Sequence, residues 1–222
     1  MRPSGIIFDF DGVLLESEFE GNRQLADLLT GLGHRHTVAE TNRFYTGLAG
    51  ADFIAAIEAR IGAALPAEFH DRLRERSRVA LRDGIAAVAG AVEFVQSLPP
   101  DLPKAVASSS STRWIRGHLD HLGLEGAFGD HIYSGHEHVA RGKPQPDIYL
   151  HAAEMIGVPI ADCAILEDSL VGATGAVASG ARVIGIAAGS HCHDGHDAML
   201  RGVGVREIAY SFDQVRALLE LA

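Results

Sequence analysis

The sequence predicts an α/β protein: a Rossmann-like, doubly wound parallel sheet carrying a small all-helical cap inserted after the first strand. Three observations lead there. Short apolar runs recur along the chain with helical patterns between them, the alternation expected of βαβ units. The alternation fails once, between Ser17 and about Arg82, where helical patterns succeed one another without a strand. Polar residues gather where the apolar runs end, and open parallel sheets bind ligands beyond the carboxyl ends of their strands.

Gly5-Ile-Ile-Phe-Asp-Phe10 reads as the first buried strand, apolar, β-rich and closed by turn residues. Ser17–Leu32, Ala51–Ile61 and Pro66–Arg82 then read as amphipathic helices, with turns at Gly31-Leu-Gly33 and Gly47–Gly50. The expected partition is a core of 1–16 and 86–222 with a cap of 17–85. The remaining strands are Lys104–Ala107, ending in four serines, His131–Ser134, Cys163–Leu166, Arg182–Ala187 and a weaker Glu207–Ala209. Helical patterns fall near 90–98, 112–122, 146–157, 169–179 and 213–221.

A chain of 222 residues can bury one sizeable core with a satellite. Its 29 acidic and 19 basic residues give a formal charge of −10, which argues against a nucleic-acid-binding surface. An acidic protein that handles an anionic substrate needs a metal ion or well-placed cations. Lysine is scarce: Lys104 and Lys143 stand against 17 arginines. No apolar run approaches the ~20 residues that span a bilayer, the N-terminus lacks a signal-peptide pattern, and Cys163 and Cys192 are too few for a disulfide scaffold. The expectation is a cytoplasmic monomer with no nucleic-acid or membrane partner.

Asp9-Phe-Asp11 closes the first strand. Alternation along a strand points residues i and i+2 the same way, so two carboxylates project together. Adjacent anions resist burial, and a divalent metal resolves the conflict. A carboxylate can also serve as nucleophile while a second handles protons. Two solvated loop acids are the competing reading. Glu167-Asp168-Ser169 closes the fourth strand; this many hard oxygen ligands suits Mg²⁺, and a capped helix start is the alternative. Ser108 to Ser111 follow the second strand, as an anion site of hydroxyls and backbone N–H groups or as ordinary N-capping. Lys143, in Gly-Lys-Pro-Gln-Pro-Asp147, is held by two prolines and could neutralise a carboxylate and a phosphoryl oxygen; a solvated loop lysine is the alternative.

In this order the four motifs resemble those of the haloacid dehalogenase-like superfamily, in its branch with a helical cap after the first motif. Asp9-Phe-Asp-Gly-Val-Leu-Leu15 is similar to motif one, Ser108 to motif two, Lys143 to motif three, and Glu167-Asp168-Ser169 with Gly172 to motif four. The resemblance spans about residues 5–220. It implies Asp9 as the nucleophile taking up a phosphoryl group and Asp11 as the acid and base. It implies Ser108 as a hydrogen-bond donor to the phosphoryl group, with Ser109 beside it, and Lys143 as the balancing cation. Mg²⁺ would be held by Asp9, the Asp11 backbone carbonyl and Asp168, with Glu167 as ligand or support.

The resemblance also sorts activities. Dehalogenases resembling this fold lack the second aspartate, and the cap holds no lysine for Schiff-base phosphonatase chemistry. The β-phosphoglucomutase type remains an alternative. Its distal-phosphate arginine falls at Gly50 here, in Gly47-Leu-Ala-Gly50, with Arg43 as a possible replacement. The expected activity is a phosphatase for a small-molecule phosphomonoester, a sugar phosphate or sugar-acid phosphate, of the 6-phosphogluconate phosphatase type. Glu18, Gly47 and Gly50 are candidate substrate contacts in the cap. For Glu18 the alternative is an acidic helix start capped by Ser17, and for the glycines plain turns. His191, His193 and His196 flank Cys192 at a spacing that could bind a transition metal; the favoured reading is a short surface loop. Trp114 reads as packing and Cys163 as an inert strand residue.

Overall fold

The structure, a computed structural model, describes residues 2–46, 48 and 50–221. Six strands, β1 (Gly5–Phe8), β2 (Lys104–Ser108), β3 (Ile132–Ser134), β4 (Cys163–Glu167), β5 (Arg182–Ile186) and β6 (Glu207–Ala209), form one parallel sheet in the order β3-β2-β1-β4-β5-β6. The chain winds outward from β1 to β3, then returns to the other side of β1 for β4. The switch point therefore lies between β1 and β4, where a crevice opens beyond their carboxyl ends.

The strands read as near-continuous apolar runs because both faces of the sheet are covered. Ile6 and Phe8 point into one buried cluster with Val106, Leu166 and Phe94. Ile7 points into the other, with Ala105, Ile165 and Tyr149. β1 ends at Phe8 rather than at the predicted Phe10, although Asp9 N still donates to Leu166 O at 2.9 Å. Beyond it the chain turns sharply: Gly12 has φ +81°, and the N–H groups of Leu14 and Leu15 both donate to Phe10 O.

Of the helices between β1 and β2, the first four are α1 (Ser17–Gly31), α2 (Val38–Tyr45), α3 (Gly50–Ile61) and α4 (Ala67–Asp83). They enclose their own core of Leu25, Leu29, Tyr45, Ile57 and Phe69. The apolar pattern does not reveal α2, but its start carries a signal. Thr37 and Glu40 exchange the two hydrogen bonds of a capping box. The two segments joining these helices to the sheet run side by side, with Glu16 N donating to Ala86 O and Val88 N to Leu14 O.

The remaining helices are α5 (Ala91–Ser97), α6 (Thr112–His121), α7 (Glu125–Phe128), α8 (Asp147–Met155), α9 (Leu170–Ala178), α10 (His196–Gly202) and α11 (Phe212–Leu218). α7 and α10 lie outside the predicted helices; α7, with 4 residues, is too short to show a period. Among the described residues no helix is long and apolar enough to cross a membrane.

Candidate active site

The ends of β1, β2 and β4 meet at the crevice, and the loop before α8 closes its floor. Lys143 comes from that loop. It is not a solvated loop lysine: its side chain is 2% exposed, and Nζ donates to Asp9 Oδ1 at 2.7 Å and to Glu167 Oε1 at 2.8 Å. Burial opposes its charge, but Asp9 and Glu167 outweigh that and raise its pKa well above the usual lysine value. Burial raises the pKa of Asp9, and the Lys143 charge acts against this.

Glu167 is fully buried and fully engaged. Oε1 accepts from Lys143 and from the Tyr149 hydroxyl at 3.1 Å, and Oε2 accepts from Ser169 N at 2.7 Å and Ser169 Oγ at 3.1 Å. Ser169 caps α9 by accepting from Gly172 N at 3.0 Å, so the helix-start reading accounts for Ser169 and not for the two acids before it. A Cβ at Gly172 would lie 1.5 Å from Glu167 Oε1, so only glycine leaves room for this carboxylate.

Asp168 is the opposite case. It is fully buried, yet neither carboxylate oxygen has a hydrogen-bond partner among the described residues. The nearest group is His191, whose Nε2 lies 2.8 Å from Oδ2 as a charge contact rather than an aligned hydrogen bond. Burial and the Glu167 charge raise the Asp168 pKa well above the carboxylate range. Oxygens of Asp9, Glu167 and Asp168 come within 4.8 Å of one another. Buried, unpartnered carboxylate oxygens beside two further acids are what a divalent cation with hard oxygen ligands would satisfy. The residues present therefore fit Mg²⁺.

Asp11 has anchors of its own. Oδ1 accepts from Ser17 Oγ at 2.7 Å and from Trp114 Nε1 at 3.1 Å, and Oδ2 accepts from Ser110 Oγ at 2.6 Å. Asp9 and Asp11 both line the cavity, on separate anchors: Lys143 holds the first, and Ser17, Ser110 and Trp114 hold the second. Ser17 does not cap α1; Glu16 holds that position and Ser17 serves Asp11. Trp114 is likewise more than packing. Its signal lay in its place, one turn into the helix that follows the serine run.

That run divides its work. Buried Ser108 accepts from Ser110 N at 3.0 Å, Ser110 holds Asp11, and Ser111 caps α6. Ser109 lines the cavity without a cap role.

Above the crevice the helical segment covers a cavity of about 710 Å³, lined by Asp9, Asp11, Ser108 and Lys143 below and by Glu18, Tyr45, Phe53 and Arg76 above. Withdrawal from water, reinforced by Asp11 and Asp168, pushes the pKa of Glu18 up to about 8. Arg76 donates from Nη2 to Gly21 O at 3.1 Å, while its buried Nε has no partner. Gly50 lies at the start of α3 against His136 and outside this lining. Arg43 is exposed, 5.4 Å from the Phe44 ring centre, and does not reach the cavity. Gly47 lies outside the described residues.

The segment 191–195 is a loop, with His193, Asp194 and Gly195 exposed, but its flanking imidazoles are turned inward. His191 and His196 are each 5% exposed, and α10 begins at His196. Burial pushes the His196 pKa down to about 4. Cys163 is buried in β4, as expected of an inert strand residue.

Comparison with known proteins assigns the class. The family model of haloacid dehalogenase-like hydrolases matches residues 3–180. A putative phosphatase, YhcW, of Bacillus subtilis is 29% identical over 96% of this chain and 97% of its own. The 6-phosphogluconate phosphatase of Escherichia coli is 24% identical over 86% and 85%. A crystal structure of a haloacid dehalogenase-like protein from Agrobacterium tumefaciens superposes with a TM-score of 0.85 at 30% identity, covering 98% of this chain and 97% of that one. The chain belongs to the haloacid dehalogenase-like hydrolase family. Within it, the chain is a phosphoric monoester hydrolase.

Proposed function

We propose that the protein is a Mg²⁺-dependent phosphatase of a sugar phosphate or sugar-acid phosphate, working through an aspartyl-phosphate on Asp9 with the segment 17–85 as its lid. The observation that carries this is the pairing of Lys143 with Asp9 beside the unpartnered oxygens of Asp168, at the floor of a covered cavity.

Lys143 holds Asp9 by Oδ1 and leaves Oδ2 to attack phosphorus in line with the leaving oxygen. As that P–O bond breaks, Asp11 gives the leaving oxygen its proton. Ser17, Ser110 and Trp114 fix the direction of that transfer. Asp11 then takes a proton from water, whose oxygen displaces Asp9 and releases inorganic phosphate. Ser108 and Ser109 bind the phosphoryl oxygens, and Lys143 offsets their charge. Asp9, Asp168 and the Asp11 backbone carbonyl would hold Mg²⁺, which when bound would neutralise charge at the phosphoryl group. Glu167 supports the site by fixing Lys143, since its own oxygens are taken.

The cavity wall speaks to the substrate. Arg76 offers a buried, unpartnered donor and Glu18 a carboxyl with a raised pKa, a pair suited to a hydroxylated chain with a second acidic group. The likeness to 6-phosphogluconate phosphatase supports the same substrate class. With Gly50 and Arg43 both away from the cavity, the mutase alternative gains no support. A panel of phosphorylated sugars, sugar acids and an aryl phosphate, run with and without Mg²⁺, tests the proposal. Turnover should need the metal and vanish in Asp9→Asn; near-wild-type hydrolysis in that variant refutes the mechanism.

A further inference from the structure

The segment Ser190 to His196 places two imidazoles and a thiol together. His191 and His196 are buried, and Cys192 between them is half-buried. One ligand atom from each lies within 4.8 Å of the others. Tetrahedral zinc, with Zn–N of about 2.0–2.1 Å and Zn–S of about 2.3 Å, needs its ligand atoms within such a span. Each buried imidazole also keeps one nitrogen without any partner, His191 Nδ1 and His196 Nε2. Buried polar atoms are rarely left so, and two in one cluster indicate a missing ligand.

The loop is built to hold this arrangement. Ser190 N donates to both carboxylate oxygens of Glu16 at 3.0 Å, Cys192 N donates to Gly189 O at 3.0 Å, and His196 N donates to His193 O at 3.0 Å. A side chain at Gly189 would meet the His191 ring at 2.6 Å, so the space is kept clear for the imidazole.

We propose that His191, Cys192 and His196 form a second metal site, for a thiophilic divalent ion such as Zn²⁺. Donor chemistry separates it from the Asp9, Glu167 and Asp168 cluster: nitrogen and sulfur select Zn²⁺ where carboxylates select Mg²⁺. Binding deprotonates the Cys192 thiol, whose proton passes to solvent while the thiolate and both neutral imidazoles donate electron pairs to the ion. The half-buried thiol gives the ion a way in and leaves a fourth position for water. The sites adjoin through His191, whose Nε2 lies 2.8 Å from Asp168 Oδ2 and 3.6 Å from Cys192 Sγ. The proposal does not rest on the phosphatase mechanism.

Cobalt titration of the full-length, tag-free chain in excess Mg²⁺ tests it. Co²⁺ should produce the thiolate-to-cobalt charge-transfer band and the intense visible bands of tetrahedral cobalt, saturating at one equivalent and lost on adding Zn²⁺. Cys192→Ser should abolish the charge-transfer band. His196→Gln should weaken cobalt binding by more than about 10-fold, the loss that follows removal of even an outer-sphere partner. Asp9→Asn should keep the band, which separates this site from the carboxylate site. Circular dichroism checks that each variant is folded. No band in the parent chain at saturating cobalt overturns the proposal. So does a band that survives in Cys192→Ser, one that disappears in folded Asp9→Asn, or unchanged affinity in folded His196→Gln.

Discussion

The indole of Trp114 donates from Nε1 to Asp11 Oδ1 at 3.1 Å, across 103 residues of sequence. It shares that oxygen with Ser17, while Ser110 holds the other. In the proposed mechanism Asp11 protonates the leaving oxygen and then takes a proton from water, and a fixed orientation serves both steps.

Trp114→Phe keeps most of the ring and removes the donor. The expected result is a kcat about 10-fold lower or worse, with KM nearly unchanged, because misorientation of a reacting group costs turnover rather than binding. The loss should be smaller for an aryl phosphate, whose leaving oxygen needs little protonation, than for an alkyl phosphate. Steady-state kinetics on the two substrates measures the difference; an equal loss on both would contradict the orienting role.

Gly172→Ala places a Cβ 1.5 Å from Glu167 Oε1. Either Glu167 leaves Lys143 or the start of α9 moves, and a disrupted buried ion network costs about 3–5 kcal/mol. Chemical denaturation should show that loss together with collapse of activity. Gly126→Ala, whose added Cβ would meet nothing within 4 Å, should stay within about 1 kcal/mol of the parent.

The sheet was legible in the sequence because parallel strands buried on both faces leave apolar runs closed by polar residues, as Gly5 to Phe8 and Cys163 to Glu167 do. Asp9, Ser108, Lys143, Glu167 and Asp168 were legible for the same reason, each standing at the end of a run or in a proline-stiffened loop. What could not be read was where the first strand stops. The apolar run continues to Phe10, but β1 ends at Phe8, and the turn beyond it depends on hydrogen bonds to Phe10 O that no period records. Partners far along the chain were also hidden. Trp114 on Asp11, Tyr149 on Glu167 and His191 on Asp168 are tertiary contacts between segments whose local patterns report only helix or loop.

Arg76 lines the cavity, and its Nε, buried in the wall, has no hydrogen-bond partner among the described residues. A charge-assisted hydrogen bond to a second anionic group is worth about 1.5–3 kcal/mol. Arg76→Met should therefore raise KM about 10-fold or more for a sugar-acid phosphate and leave an aryl phosphate unaffected in both kcat and KM. Parallel kinetics on the two substrates checks this. Equal effects on both would place Arg76 in lid stability instead of selectivity.

His118 is fully buried against Trp114, with ring centres 4.2 Å apart and both ring nitrogens unpartnered. Burial lowers its pKa below the usual 6.5; the nearby Asp11 charge pulls the other way and His121 with burial. The native state therefore resists a proton that the unfolded chain accepts. The stability this protects is fully present above pH 6.5 and falls as the pH drops below that value, by up to about 1.4 kcal/mol per pH unit. His118→Leu removes both the titration and the two unpartnered nitrogens. Its melting temperature should match or exceed that of the parent near neutral pH, and should decline less as the pH falls from about 7 to about 5. His196, whose pKa lies at about 4, keeps a residual acid slope in the variant. Melting curves across that range test the sign: a parent chain that gains stability on acidification, or a variant with an unchanged slope, would show that His118 is not the group responsible.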